Sequence, residues 1–195
     1  DGKGSVVPRE NAWADWVSLP GGEIGAFEVI PNLPTEERAT YSNIDNVLVD
    51  ERVAGIGAQA TPAFVGFTRC EYVKVILRIM RIGMAGLYGS CKVENGLFGV
   101  WKKRPGADGV PDAPGVIRLI VDMRRGNLFF KEPERVDLIS PAAMGRIELG
   151  PDEVMVTAKA DLDNYFYRCQ ISGEYSKYFG MPAVSTAELI AAGAS

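Results

Sequence analysis

Asp161 closes a stretch of residue types that can do chemistry. Before it, Val154, Val156, Ala158 and Ala160 alternate with Met155, Thr157, Lys159 and Asp161, the period-two pattern of a strand with one apolar and one mixed face. Such a strand packs its apolar side on a helix and presents Asp161 on an open face at its C-terminal end. Five residues on stands Phe166, followed by Tyr167. A strand-end carboxylate with a ring just beyond it can hold a hard cation and support a substrate. The same residues also fit a plainer arrangement, in which Asp161 caps the next turn and Phe166 enters the core.

A second group is basic. Lys102, Lys103 and Arg104 follow an apolar run over residues 97–101, and Arg118 lies in the run Val-Ile-Arg-Leu-Ile-Val-Asp over residues 116–122. The two runs predict a hairpin over residues 96–122, joined by a Pro/Gly/Ala/Asp loop at 105–115. Cations at both strand ends around a long loop suit a grip on a polyphosphate, and they equally suit a solvated hairpin tip. Asp122 and Arg124, two apart, share a face if the strand continues, and a local ion pair is their simplest use. Charge is uneven along the chain: residues 70–135 carry 12 Lys/Arg against 7 Asp/Glu, between acidic ends, within a net charge of −4. A basic middle can face an anion. There is no histidine, which excludes His-ligated zinc and Ser-His or Cys-His catalysis.

The elements that must position these residues are legible in part. Residues 70–82 predict a mostly buried helix, because Glu71, Lys74, Arg78 and Arg81 form one polar stripe among apolar neighbours and Gly83 ends it. Ser140-Pro141 starts a short helix reaching about residue 147, Gly150-Pro151-Asp152 is a turn, residues 173–178 hold one helical turn, and residues 179–182 run extended. Ser185 with Glu188 three residues later is a capping box opening a last helix. Residues 1–69 are punctuated by Pro8, Pro20, Pro31, Pro34 and Pro62 and read as a loosely packed extension of short elements. Within it Trp13 and Trp16 anchor a short helix, a helix begins after Pro34, and residues 44–53 form a helix or a strand.

With 195 residues, 47% hydrophobic, the chain can build a core of one domain. It has no 18-residue apolar run and no basic-then-apolar leader, so the expectation is an intracellular protein, in cytoplasm or nucleus, with no membrane partner. Cys70, Cys91 and Cys169 are far apart and are expected as buried or half-buried unpaired thiols.

Three pieces then fall into a familiar order: Phe98-Gly99-Val100-Trp101-Lys102-Lys103, the run from Arg118 to Asn127, and Asp161-Leu162-Asp163-Asn164-Tyr165-Phe166-Tyr167. Arg118, Asp122, Arg124 and Asn127 match R-x-x-x-D-x-R-x-x-N, Asp161 and Phe166 match D-x-x-x-x-[FY], and Glu174 to Gly180 is similar to the segment that follows. Over roughly residues 70–185 the chain resembles the fingers and first palm segment of a reverse transcriptase of the retrotransposon and retroviral type. Asn164 stands where many relatives carry a second acid, Tyr165 where a small residue is common, the 102–118 loop is long, and no Asp-Asp pair occurs.

The resemblance implies an α+β fold, a partial fingers–palm of a right-hand polymerase with an irregular N-terminal extension at 1–69 and a truncated polymerase-like part at 70–195. It implies templated deoxynucleotidyl transfer in a longer parent, through two Mg²⁺ ions that activate the primer hydroxyl and stabilise the leaving pyrophosphate. Asp161 is then the catalytic metal ligand, with the carbonyl of Leu162 beside it. Phe166 is the ring beneath the sugar that excludes a 2′-hydroxyl, Lys102 and Arg118 grip the triphosphate, and Arg124 and Asn127 position the template. The implied partners are an RNA or DNA template-primer and a deoxynucleoside triphosphate; no protein partner is predictable from the sequence. One carboxylate holds Mg²⁺ poorly against its hydration shell, so the chain by itself is expected to be inactive. The alternatives are a non-catalytic remnant or a domain reused for binding, and a small-molecule enzyme built on Asp161 with Lys159.

Overall fold

A computed structural model describes residues 4–21, 24–106, 113–133, 141–158 and 165–194. In chain order the elements are β1 (Val17–Ser18), β2 (Phe27–Glu28), α1 (Thr35–Tyr41), α2 (Glu51–Ala60), α3 (Arg69–Arg81), β3 (Gly96–Lys103), β4 (Val116–Asp122), α4 (Pro141–Met144), α5 (Tyr165–Arg168), β5 (Cys169–Gln170), α6 (Gly173–Ser176) and α7 (Thr186–Ala191), with short 3-10 turns between them. The class is α+β, as expected.

α3 forms where the polar stripe predicts a helix. Thr68 caps it by accepting the Glu71 N–H, and Gly83, at φ 78°, ends it in a conformation that a side chain would disfavour. Its apolar faces, Val73, Val75, Ile76, Leu77 and Ile79, join Leu97, Trp101, Ile117 and Leu119 of the hairpin in one core. β3 and β4 pair antiparallel, from Gly96 opposite Asp122 to Trp101 opposite Ile117. β1 adds in parallel beside β4, giving the order β1-β4-β3. The other edge of β3 is closed by backbone: Val7 N–H donates to Gly99, Trp101 N–H to Ser5, and Leu97 N–H to Phe64. A sheet edge covered in this way offers no unpaired ladder.

Residues 1–69 take up short elements as expected, but they are not loose. Val7, Ala12, Ala14 and Val17 are buried in the main core. The stripe of α3 is only partly solvated: the N-terminal segment lies across Glu71 and Arg78, while Lys74 and Arg81 stay exposed. Buried Glu71 accepts the Ala14 N–H at 2.7 Å, and Arg78 donates to the carbonyls of Ala14 and Val17. The helix expected after Pro34 is α1, and residues 44–53 divide into a 3-10 turn at Ile44–Asn46 and the start of α2. A second core joins α2 (Ala54, Ala58) to Val93, Phe129 and Tyr178. In the small sheet, β2 runs parallel to β5, with Phe27 opposite Cys169.

The strand expected from residue 154 does not form in its described part. Residues 154–158 have no strand assignment, and Val154 and Val156 are 85% and 90% exposed. Alternation sets which side chains share a face, but a strand also needs a pairing neighbour and a surface to cover it, and neither meets this segment among the described residues. Cys70 and Cys91 are exposed rather than buried, and Cys169 is half-buried. Among the described residues no helix is long and apolar enough to cross a membrane.

Candidate functional site

The hairpin carries Lys102 and Arg118 at its loop end, both exposed. Arg118 lies opposite Val100, on the face away from buried Ile117 and Leu119. Lys102 falls at an irregularity: Trp101 pairs with Ile117 and Lys103 with Val116, so Lys102 is the extra residue of a bulge. The bulge sits beside an aromatic clamp. Trp101 packs against Trp16 at 6.1 Å, and a Cβ on Gly115 would meet both indoles. Residues 107–112 of the connecting loop lie outside the described residues.

At the far end of β4 the local ion pair forms. Arg124 donates from Nε and Nη2 to both oxygens of Asp122, the shortest at 2.6 Å. Those hydrogen bonds hold the Asp122 carboxyl below the usual carboxylate range, against the upward pull of burial, and raise the Arg124 guanidinium. The guanidinium expected on a template strand is thus already engaged by the Asp122 carboxylate. Asn127 is exposed on the 3-10 turn Gly126–Phe129, its backbone N–H bound to Met123.

Asp161 and Leu162, and Lys159 of the third alternative, lie outside the described residues. Phe166 is in α5 and is 85% exposed, touching Tyr165 edge-on at 5.7 Å, so it is not a core ring. The N-terminal part holds its neighbourhood: Gly25 N–H donates to Tyr167, Val29 N–H to Gln170, and Phe27 packs on Tyr165. Phe166 lines a cleft of about 1090 Å³ that Arg125 also lines; Lys102 and Arg118 are not among its lining residues. The described residues therefore join Lys102 to Arg118 through one hairpin, but do not bring either to the wall that bears Phe166.

The residue that sequence reasoning missed is Asn95. Its side chain is fully buried and satisfied: Oδ1 accepts Gly126 N–H at 2.8 Å, and Nδ2 donates to the carbonyls of Tyr178 and Gly180. It ties the start of β3, the turn bearing Arg124 and Asn127, and the segment before α7 into one joint. The only local signal is Asn95-Gly96, which by itself reads as a turn. Beside it Glu51 accepts from Tyr178 Oη at 2.6 Å and from Lys92 Nζ at 3.0 Å; these bonds lower the Glu51 carboxyl, while burial first and then Glu51 push the Tyr178 phenol up.

Among the described residues no group of three or more Asp, Glu, His or Cys is placed to hold a metal ion. The described donors supply no Mg²⁺ site. Compared with protein-family models, curated proteins and solved structures, the chain matches none.

Proposed function

We propose that this chain is the fingers and first palm part of a retroelement RNA-directed DNA polymerase, whose hairpin holds the triphosphate of an incoming deoxynucleotide. The observation that carries the reading is the antiparallel β3–β4 ribbon with two exposed cations, Lys102 and Arg118, at its loop end. Arg118 offers a planar fork of donors and Lys102 a mobile point charge, a pair suited to polyphosphate oxygens. The bulge lets the strand re-aim Lys102 without unpairing Trp101. In this reading Asp161, with Leu162, belongs to the metal site of the parent and Arg124 and Asn127 border the template, while Phe166, on a cleft that neither Lys102 nor Arg118 lines, meets the sugar only if the hairpin closes toward it.

The test is equilibrium binding of a fluorescent deoxyadenosine triphosphate to the full chain. Replacing both Lys102 and Arg118 by alanine is expected to weaken binding by at least about tenfold, since each charge-assisted hydrogen bond contributes about 1.5–3 kcal/mol. Equal binding by wild type and the double variant, or none by either, overturns the grip. For the parent, the decisive reading is of the coding sequence downstream. An aromatic-x-Asp-Asp hairpin within about one further domain of roughly 100–150 residues upholds the polymerase. Stop codons or unrelated sequence there favour a non-catalytic remnant.

A further inference from the structure

We propose that a small apolar cavity beside α6 binds an uncharged two-ring aromatic molecule carrying one hydroxyl. The cavity measures about 290 Å³. An apolar cavity of about 150 Å³ takes one benzene, so this one has room for two fused rings. Val29, Ile30 and Leu33 line it, together with Tyr41 at the end of α1 and Tyr175 in α6. The small sheet brings these distant parts together. Val29 N–H donates to the Gln170 carbonyl at 3.1 Å, which sets the 3-10 turn Ile30–Asn32 beside the start of α6.

One wall is fixed before any ligand arrives. The Tyr175 ring lies parallel to Phe130 within 5°, centroids 6.2 Å apart, and its hydroxyl donates to the Tyr41 carbonyl at 2.9 Å. A side chain held in this way has little rotamer freedom left to lose on binding. Ser172 supplies a polar handle. It precedes α6 and lines the cavity, but its side chain makes no cap bond, so its hydroxyl is left to meet a polar group of the ligand. No described lining residue carries a charge at neutral pH, so an ionised ligand would lose its water without gaining a partner. A protein partner is a poor match in size: seven described residues line the cavity, whereas a stable interface takes about 20–30 residues a side. Neither Lys102 nor Arg118 lines it, and the inference does not rest on the polymerase reading.

The experiment is isothermal titration of the full chain with 2-naphthol at neutral pH. Wild type is expected to bind one molecule with a Kd below about 1 mM. 2-Naphthoate, with a carboxylate in place of the hydroxyl, should bind at least about tenfold more weakly. Ser172→Ala should weaken 2-naphthol about fivefold, the worth of one hydrogen bond, and leave naphthalene unchanged. Leu33→Trp fills the cavity and should abolish binding while the chain melts as wild type does. Ser172→Ala, which removes no bond of the fold, decides the matter if Leu33→Trp melts early. Replacing Lys102 and Arg118 by alanine should leave 2-naphthol binding unchanged, so failure of the nucleotide grip and failure of this site are read separately. No binding below about 1 mM overturns the proposal, as does 2-naphthoate binding as tightly as 2-naphthol, or Ser172→Ala without effect. Self-association in sedimentation that Leu33→Trp abolishes would also overturn it, by making a second copy of the chain the occupant.

Discussion

Glu188 does two jobs with one carboxylate. It accepts from Arg69 Nε and Nη2 at 2.7 and 2.8 Å, and it closes the capping box by accepting the Ser185 N–H at 2.8 Å. The Arg69 hydrogen bonds first, then those of Ser185, lower its carboxyl from the ordinary 4.5 to about 2. A carboxyl depressed in the folded state stabilises above its unfolded value, and the contribution is lost as pH falls through the folded one. Glu188→Gln is therefore expected to melt at a lower temperature than wild type at pH 7, with the gap narrowing below about pH 4.5 and closing near pH 2. A constant gap across thermal melts in that range would refute the linkage. Asn95 is the other decisive side chain. Asn95→Ala leaves the Gly126 N–H and the Tyr178 carbonyl buried without their partner, a loss on the order of 3 kcal/mol in a denaturant titration. The capping box was legible because its two members are three residues apart. Asn95 was not, because its partners lie 31 and 83 residues away.

Elements whose order is local follow the chain's own pattern. α3 could be read from the spacing of Glu71, Lys74, Arg78 and Arg81, and the hairpin from two apolar runs around a Pro/Gly loop. What decides their fit is packing that no window contains. A Cβ at Gly99 would stand 2.5 Å from Ile117 Cγ2, and one at Gly96 would stand 2.5 Å from the Phe64 carbonyl oxygen. Gly99→Ala can be met in part by a shift of the Ile117 side chain, at about 1–3 kcal/mol. Gly96→Ala meets backbone and is expected to lose more; a denaturant midpoint for Gly96→Ala at or above that of Gly99→Ala would contradict this ranking. Residues 154–158 teach the converse. Their alternation is as regular as that of β4, yet Val154 and Val156 stand in water. A pattern names the face a strand would bury; only a neighbour makes the strand.

At the scale of the whole molecule, residues 4–18 are part of the main core and not an appendage. They cover Glu71 and Arg78 of the α3 stripe, flank β3 and, as β1, extend the sheet beyond β4. Removing residues 1–18 strips Val7, Ala12, Ala14 and Val17 from that core and leaves Glu71 without the Ala14 N–H. The truncated chain is expected to lose its cooperative unfolding transition, followed by circular dichroism during heating; a sharp transition retained by residues 19–195 would show that the extension is dispensable. By itself the sequence determined what depends on near neighbours: the mixed class, the buried helix, the hairpin, the closing capping box and the pairing of Asp122 with Arg124. Those follow from side-chain period, turn residues and charges a few positions apart. Tertiary structure alone decided that Glu71 and Arg78 of the α3 stripe are covered, that Asn95 joins three segments, that a bulge carries Lys102, and that Phe166 lines a cleft to which neither Lys102 nor Arg118 belongs. Each of these is a meeting of residues far apart in the chain, and chain order holds no local signal of which distant surfaces will bury one another.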